Sequence, residues 1–152
     1  MSNIAKIKKY CIANGEGLRT AVFFSGCDHH CDGCFNSELW DYNYGKPIDI
    51  EEILSTIDEH TAGLSLLGGD PLCGDNAQAT YMLCKEFKNR FPNKTIWLWT
   101  GYTLDYVKDY FFNILEYIDV LIDGPFIKEE YEFGLKWRGS RNQRILKKGI
   151  DF

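Results

Sequence analysis

The chain has 152 residues, 45% of them hydrophobic and 15% aromatic, which suits a packed core and not a disordered segment. Its formal net charge of −5 argues against nucleic acid as a partner, and it has no run of ~18 apolar residues that would make a membrane span. The N-terminus Met1-Ser2-Asn3-Ile4-Ala5-Lys6 has no apolar signal core, which predicts a cytoplasmic protein; six cysteines there favour metal binding over a disulfide framework.

In chain order, Ile4–Ile12 reads as an edge strand and Ala21–Ser25 as a buried one. Asp49 is placed to cap a helix, with Glu52 three residues on completing a capping box. Ile50, Ile53, Leu54 and Ile57 give that helix one apolar face. Leu64–Leu67 is the next strand. Asp75–Arg90 is helical, with Thr80, Leu83, Cys84 and Phe87 on one stripe. Thr95–Trp99 is a strand, and Thr103 caps a helix that turns Leu104, Val107 and Phe111 inward. Ile118–Ile122 is a further strand, and Arg144–Lys147 is a second candidate edge strand. Strands alternating with helices predict a mainly parallel sheet with crossover connections, in one domain over residues 1–152. A closed eightfold barrel needs about 250 residues, so the α/β fold expected here is an incomplete, open β/α barrel.

The chemistry-bearing residues fall at the ends of these strands. Cys27, Cys31 and Cys34 follow the first core strand, and Gly68-Gly69-Asp70-Pro71 follows the second. Thr100-Gly101-Tyr102 follows the third and Asp123-Gly124-Pro125 the fourth. Parallel α/β folds bind ligands at the carboxyl ends of their strands, so four segments are expected on one active edge. Three thiols in eight residues, with no fourth cysteine nearby in the chain, would leave one iron of a four-iron cluster open. The same spacing also suits a structural zinc ion completed by His29 or His30.

Beyond the cysteines, Gly15-Glu16-Gly17-Leu18-Arg19-Thr20, Gly26-Cys27, Cys34-Phe35-Asn36 and Gly68-Gly69-Asp70-Pro71-Leu72 resemble the activases of the radical S-adenosylmethionine superfamily. Trp99-Thr100-Gly101-Tyr102, Asp123-Gly124 and Trp137-Arg138-Gly139-Ser140 continue the resemblance, which is nearest to activating components of anaerobic ribonucleotide reductases. The chain departs from the wider superfamily in having Gly33 before the third cysteine, with Phe35 after it, and Asp70 where Glu is frequent. The resemblance implies a [4Fe-4S] cluster on Cys27, Cys31 and Cys34 with one open iron, which binds the amino and carboxylate groups of S-adenosylmethionine. It implies that Gly68, Gly69, Asp70 and Pro71 receive the methionyl amino group and that Gly33, Cys34 and Phe35 abut adenine. It further implies reductive cleavage to a 5′-deoxyadenosyl radical, fed by a one-electron reductant. That radical would take hydrogen from a glycine on the large subunit of the reductase, the protein partner.

Simpler readings stand beside these. The glycine segment is also an ordinary tight turn, and Gly33 also serves only to wrap the cysteine loop. Cys11, Cys73 and Cys84 read as small buried hydrophobes, Cys73 lying near the glycine turn. Residues 136–148 carry Lys136, Arg138, Arg141, Arg144, Lys147 and Lys148 with no acid, either a solvated tail or a docking surface. A different small radical enzyme and a non-catalytic zinc or iron–sulfur interaction module are the alternative functions; reductive cleavage of S-adenosylmethionine and metal analysis separate them.

Overall fold

The computed structural model describes residues 2–152; Met1, part of the N-terminal reading above, lies outside them. The strands are β1 (Asn3–Cys11), β2 (Arg19–Phe24), β3 (Lys46–Pro47), β4 (Gly63–Gly68), β5 (Thr95–Trp99), β6 (Val120–Asp123) and β7 (Arg144–Lys147). The helices are α1 (Ile50–Leu54), α2 (Asn76–Arg90), α3 (Leu104–Tyr110) and α4 (Phe112–Leu115). One sheet runs in the order β3-β1-β2-β4-β5-β6-β7. β2, β4, β5 and β6 pair in parallel, while β1 and β7 join them antiparallel. The sheet ends at β3 and β7 and does not close on itself. This is the open, mostly parallel α/β sheet the alternation predicts.

The four central strands are buried on both faces, so both sets of alternating side chains are mostly apolar. Val22, Phe24, Leu64, Leu66, Ile96, Leu98 and Leu121 pack with Ile53, Leu83, Phe87, Val107 and Ile114 from the helices. The opposite face carries a smaller cluster of Trp97, Val120 and Ile122 with Trp99, Trp137 and Ile145 against it. At the start of β2 that face also buries the Arg19 guanidinium, which has no carboxylate partner among the described residues. Its Nε donates to Ser65 Oγ at 2.8 Å, and its Nη groups donate to the carbonyls of Glu16, Leu64 and Thr95 and to Thr95 Oγ1. Burial pulls its pKa down to about 10. Arg19 thus fastens the amino ends of β2, β4 and β5 together, at the end of the sheet away from the cysteines.

The two N-caps form as the sequence predicts, but the reciprocal half of the capping box does not: the Glu52 carboxylate accepts from Lys46 Nζ at 2.8 Å. Asp49 accepts from Glu52 N–H, and Thr103 accepts from Tyr106 N–H. Differences lie at the ends of elements. α1 stops at Leu54, and Ile57 reaches the core from the turn beyond it. Phe111 leaves α3 and caps the separate short helix α4. β1 lies inside the edge, because the two residues of β3 pair outside it.

Candidate functional site

A cavity opens at the carboxyl ends of the parallel strands. Its walls are Cys27, His29, Cys31, Cys34 and Asn36 from the loop after β2, Leu67 to Asp70 after β4, and Trp99 to Gly101 after β5; Ile122, Gly124, Phe126 and Gln143 complete it. The strand ends that the sequence reading placed on one edge therefore share one space. Of the expected site residues, Cys27, Cys31, Cys34, Gly68, Gly69 and Asp70 line it. Pro71 lies behind the wall, where its carbonyl accepts from Thr80 Oγ1 at 2.7 Å. Gly33 and Phe35 are exposed on the outer turn of the cysteine loop. The Phe35 ring packs toward Phe126 and Tyr131, with centroids 5.2 and 5.6 Å away.

The cysteine loop is held by short local bonds. Gly26 N–H donates to Leu39 O at 2.7 Å, and Cys34 N–H donates to Cys31 O at 3.1 Å. Asn36 N–H donates to Cys34 Sγ at 3.4 Å. His30 leaves the site and stacks on Trp40, with ring centroids 4.4 Å apart. It is therefore not a ligand candidate, unlike His29. The six cysteines are free thiols. Three unpaired thiols on one side of a cavity, with backbone turns on the other, fit a metal cluster of the kind the loop spacing suggests.

The glycine turn is tight for reasons internal to the protein. Gly68 has φ +113°, and a Cβ there would lie 2.4 Å from Phe24 N. A Cβ on Gly69 would lie 2.5 Å from Gly26 O and 2.7 Å from Leu39 O. Both glycines thus let the turn sit against the backbone leading into the cysteine loop. The N–H groups of Gly69 and Asp70 donate to Phe24 O and Gly26 O, both at 2.8 Å.

Asp70 joins three of the four strand ends. Its side chain is 1% exposed. It accepts from Leu72 N–H at 2.9 Å, from Gly101 N–H at 2.9 Å and from Thr100 Oγ1 at 2.9 and 3.1 Å. His29 Nε2 lies 2.8 Å from its Oδ2, and this contact pushes the imidazole pKa up to about 10. Behind His29 and Asp70 stands Cys73, fully buried, with Tyr102 Oη 3.7 Å from its sulfur. The Cys27 and Cys73 sulfurs lie within 4.8 Å of one another, and this closeness raises the pKa of the first thiol and lowers that of the second. The sequence placed Asp70 in the site but not its pairing with His29, and it set Cys73 close to the glycine turn and the cofactor without giving it a role. Nothing local marks either contact, because the partners are 41 residues apart for His29–Asp70 and 29 for Cys73–Tyr102.

The geometry brings a three-cysteine loop and the turns that follow the neighbouring parallel strands together around one cavity. A family model described as a 4Fe-4S single cluster domain matches residues 13–146. The chain is 44% identical over 140 residues to the anaerobic ribonucleoside-triphosphate reductase-activating protein of Vibrio cholerae, covering 88% of this chain and 90% of that one. The protein of the same name from Escherichia coli K12 is 38% identical over 140 residues, covering 88% and 91%. That of Enterobacteria phage T4 is 39% identical over 147 residues, covering 94% and 92%. The chain belongs to the family of anaerobic ribonucleoside-triphosphate reductase-activating proteins.

Proposed function

We propose that the chain is a radical S-adenosylmethionine oxidoreductase, one domain over residues 1–152, that generates a glycyl radical on the large subunit of an anaerobic ribonucleotide reductase. One observation carries the reading most: three free thiols of a single loop line a cavity whose remaining walls are the turns after β4, β5 and β6. Cys27, Cys31 and Cys34 would hold a [4Fe-4S] cluster. Cys73, the other thiol nearby, stands behind that lining, so three ligands leave one iron for the cofactor. When bound and reduced from outside by a one-electron donor, the cluster supplies the electron that splits S-adenosylmethionine into methionine and a 5′-deoxyadenosyl radical.

The protein's own part is to bind, orient and shield. The amide hydrogens of Gly69 and Asp70 are already donated to Phe24 O and Gly26 O, and a ligand ammonium, which can only donate, would be received at this turn by backbone carbonyl oxygens. The Asp70 carboxylate is occupied by Thr100, Gly101, Leu72 and His29. Its part is to fix the turns, and Asp in place of Glu suits that part. Leu67, Trp99, Ile122 and Phe126 give the wall an apolar part that limits water around a reactive species. Adenine is assigned to the rim of the cavity, where Cys34 lines the wall and Gly33 and Phe35 stand exposed beside it. The sheet remains open between β3 and β7, which leaves a large protein substrate access to the cavity.

Anaerobic incubation with the reductase, S-adenosylmethionine and a low-potential reductant tests this. A glycyl-radical signal in electron paramagnetic resonance, absent with Cys31→Ala, is the expected result. Reductive cleavage of S-adenosylmethionine with no radical on the reductase would make this an enzyme for another substrate.

A further inference from the structure

The contacts around Cys73 form a second donor set. The ligand atoms of Cys27, His29, Asp70 and Cys73 all lie within 4.8 Å of one another. A tetrahedral zinc ion with bonds of about 2.0–2.3 Å draws its ligands from such a compact group, whereas a four-iron cluster gives each thiolate its own iron. Two sulfurs, one imidazole nitrogen and one carboxylate oxygen are all zinc ligands. Cys31 and Cys34 are not part of this group.

The surroundings of the four residues also suit a metal. Asp70 is held by Leu72, Thr100 and Gly101, so its carboxylate is oriented before anything binds. The Tyr102 hydroxyl stands next to Cys73 and its ring packs edge-on to His29, at 4.5 Å between centroids. His29 Nε2 and Asp70 Oδ2 already face each other at 2.8 Å, so an ion takes the place of the proton between them.

We propose that Cys27, His29, Asp70 and Cys73 bind one zinc ion in the cluster-free protein. Cys27 belongs to this set and to the three-cysteine set, so zinc and the four-iron cluster exclude one another. Zinc binding releases the thiol protons and stores the chain in a form that cannot accept the cluster.

Cobalt(II) is the spectroscopic probe. Cluster-free full-length protein, kept anaerobic, is titrated with cobalt and then with zinc in competition. The expected result is one cobalt per chain, with thiolate charge-transfer absorption and the intense visible bands of a tetrahedral site, bleached by one equivalent of zinc. Cys73→Ser and His29→Gln should each weaken binding at least about tenfold, since even outer-shell losses cost about 10–100-fold. Cys31→Ser and Cys34→Ser should bind as the wild type does. Circular dichroism on each variant separates lost ligation from lost folding, and His29, on the cavity wall, gives a second variant should Cys73→Ser unfold. One equivalent of zinc added before iron and sulfide should suppress iron uptake by the wild type but not by Cys73→Ser. Cobalt binding that needs Cys31 or Cys34 but not Cys73, or no stoichiometric binding, overturns the proposal. The proposed function fails on different grounds, through iron content of the Cys31 and Cys34 variants, so the two are told apart.

Discussion

Arg144 on β7 forks onto Asp123 at the end of β6, with Nε 3.0 Å from Oδ1 and Nη2 2.5 Å from Oδ2. Asp123 is 2% exposed, while Arg144 is half exposed. The same carboxylate accepts from Leu104 N–H at 2.8 Å and so ties the start of α3 to the edge of the sheet. The strongest acid contact of the basic stretch 136–148 is therefore internal. Arg141, by contrast, reaches Glu132 only at 3.8 Å, with both side chains half exposed.

The two arginines should behave differently. Arg144→Gln leaves a buried carboxylate with one partner fewer and should cost about 1–3 kcal/mol in denaturant unfolding. Arg141→Glu should change stability by no more than about 0.5 kcal/mol. If the stretch docks the reductase, Arg141→Glu should slow association, and more so at low salt. Equal loss of stability in the two variants would mean that the Asp123 pair is not what distinguishes them.

Asp70→Ala should remove the acceptor of Leu72 N–H, Gly101 N–H and Thr100 Oγ1 together. Each buried donor left unpaired costs about 1–3 kcal/mol, so the loss should exceed that of any single surface substitution. Iron content and S-adenosylmethionine affinity measured on the folded fraction should show weaker cofactor binding. Wild-type stability would mean that the three turns hold together without the carboxylate.

Gly69→Ala tests the packing of the turn. The added carbon meets the Gly26 and Leu39 carbonyls, not open cavity, and overpacking of this kind costs about 1–3 kcal/mol. A larger residue there therefore reports on the loop before it reports on cofactor access. Thermal unfolding of the apo protein should fall. An unchanged melting temperature would mean that the neighbouring backbone yields easily.

Arg19→Met should destabilise the protein by about 2–4 kcal/mol, because Ser65, Thr95 and several carbonyls lose their donor together. Arg19 lies at the far end of the sheet from the cavity, so iron uptake per folded molecule should be unchanged. Iron uptake lost in proportion to nothing but the substitution itself would show coupling between the two ends.

How much of this was legible in the sequence follows from what each feature depends on. β2, β4 and β5 were recovered to within about two residues, because a strand buried on both faces is an uninterrupted apolar run. Asp49 and Thr103 were readable as caps because capping is local. β3 is only Lys46–Pro47 and exists through its pairing with β1, so no pattern of its own marks it. Hydrophobicity alone puts Ile118 in β6, yet it precedes the strand, which begins at Val120. In the site, the cysteine loop and the glycine turn were legible from spacing and from their position after apolar strands. The links that bind them were not: His29 to Asp70, Cys27 to Cys73 and Arg144 to Asp123 depend on which strands become neighbours. Arg19 was visible as part of a motif, but its buried role depends on the register of β2 with β4 and β5.

Anaerobic reconstitution with iron and sulfide, with iron and 5′-deoxyadenosine measured on the same samples, tests the central claim most directly. The wild type should hold about four irons per chain in a [4Fe-4S] site and form 5′-deoxyadenosine from S-adenosylmethionine when reduced. Cys27→Ala, Cys31→Ala and Cys34→Ala should each lose both the cluster and the product, while Cys84→Ala, in the core, should keep both. A full complement of iron in the Cys31→Ala or Cys34→Ala protein, or a wild-type cluster that yields no 5′-deoxyadenosine, would contradict the account.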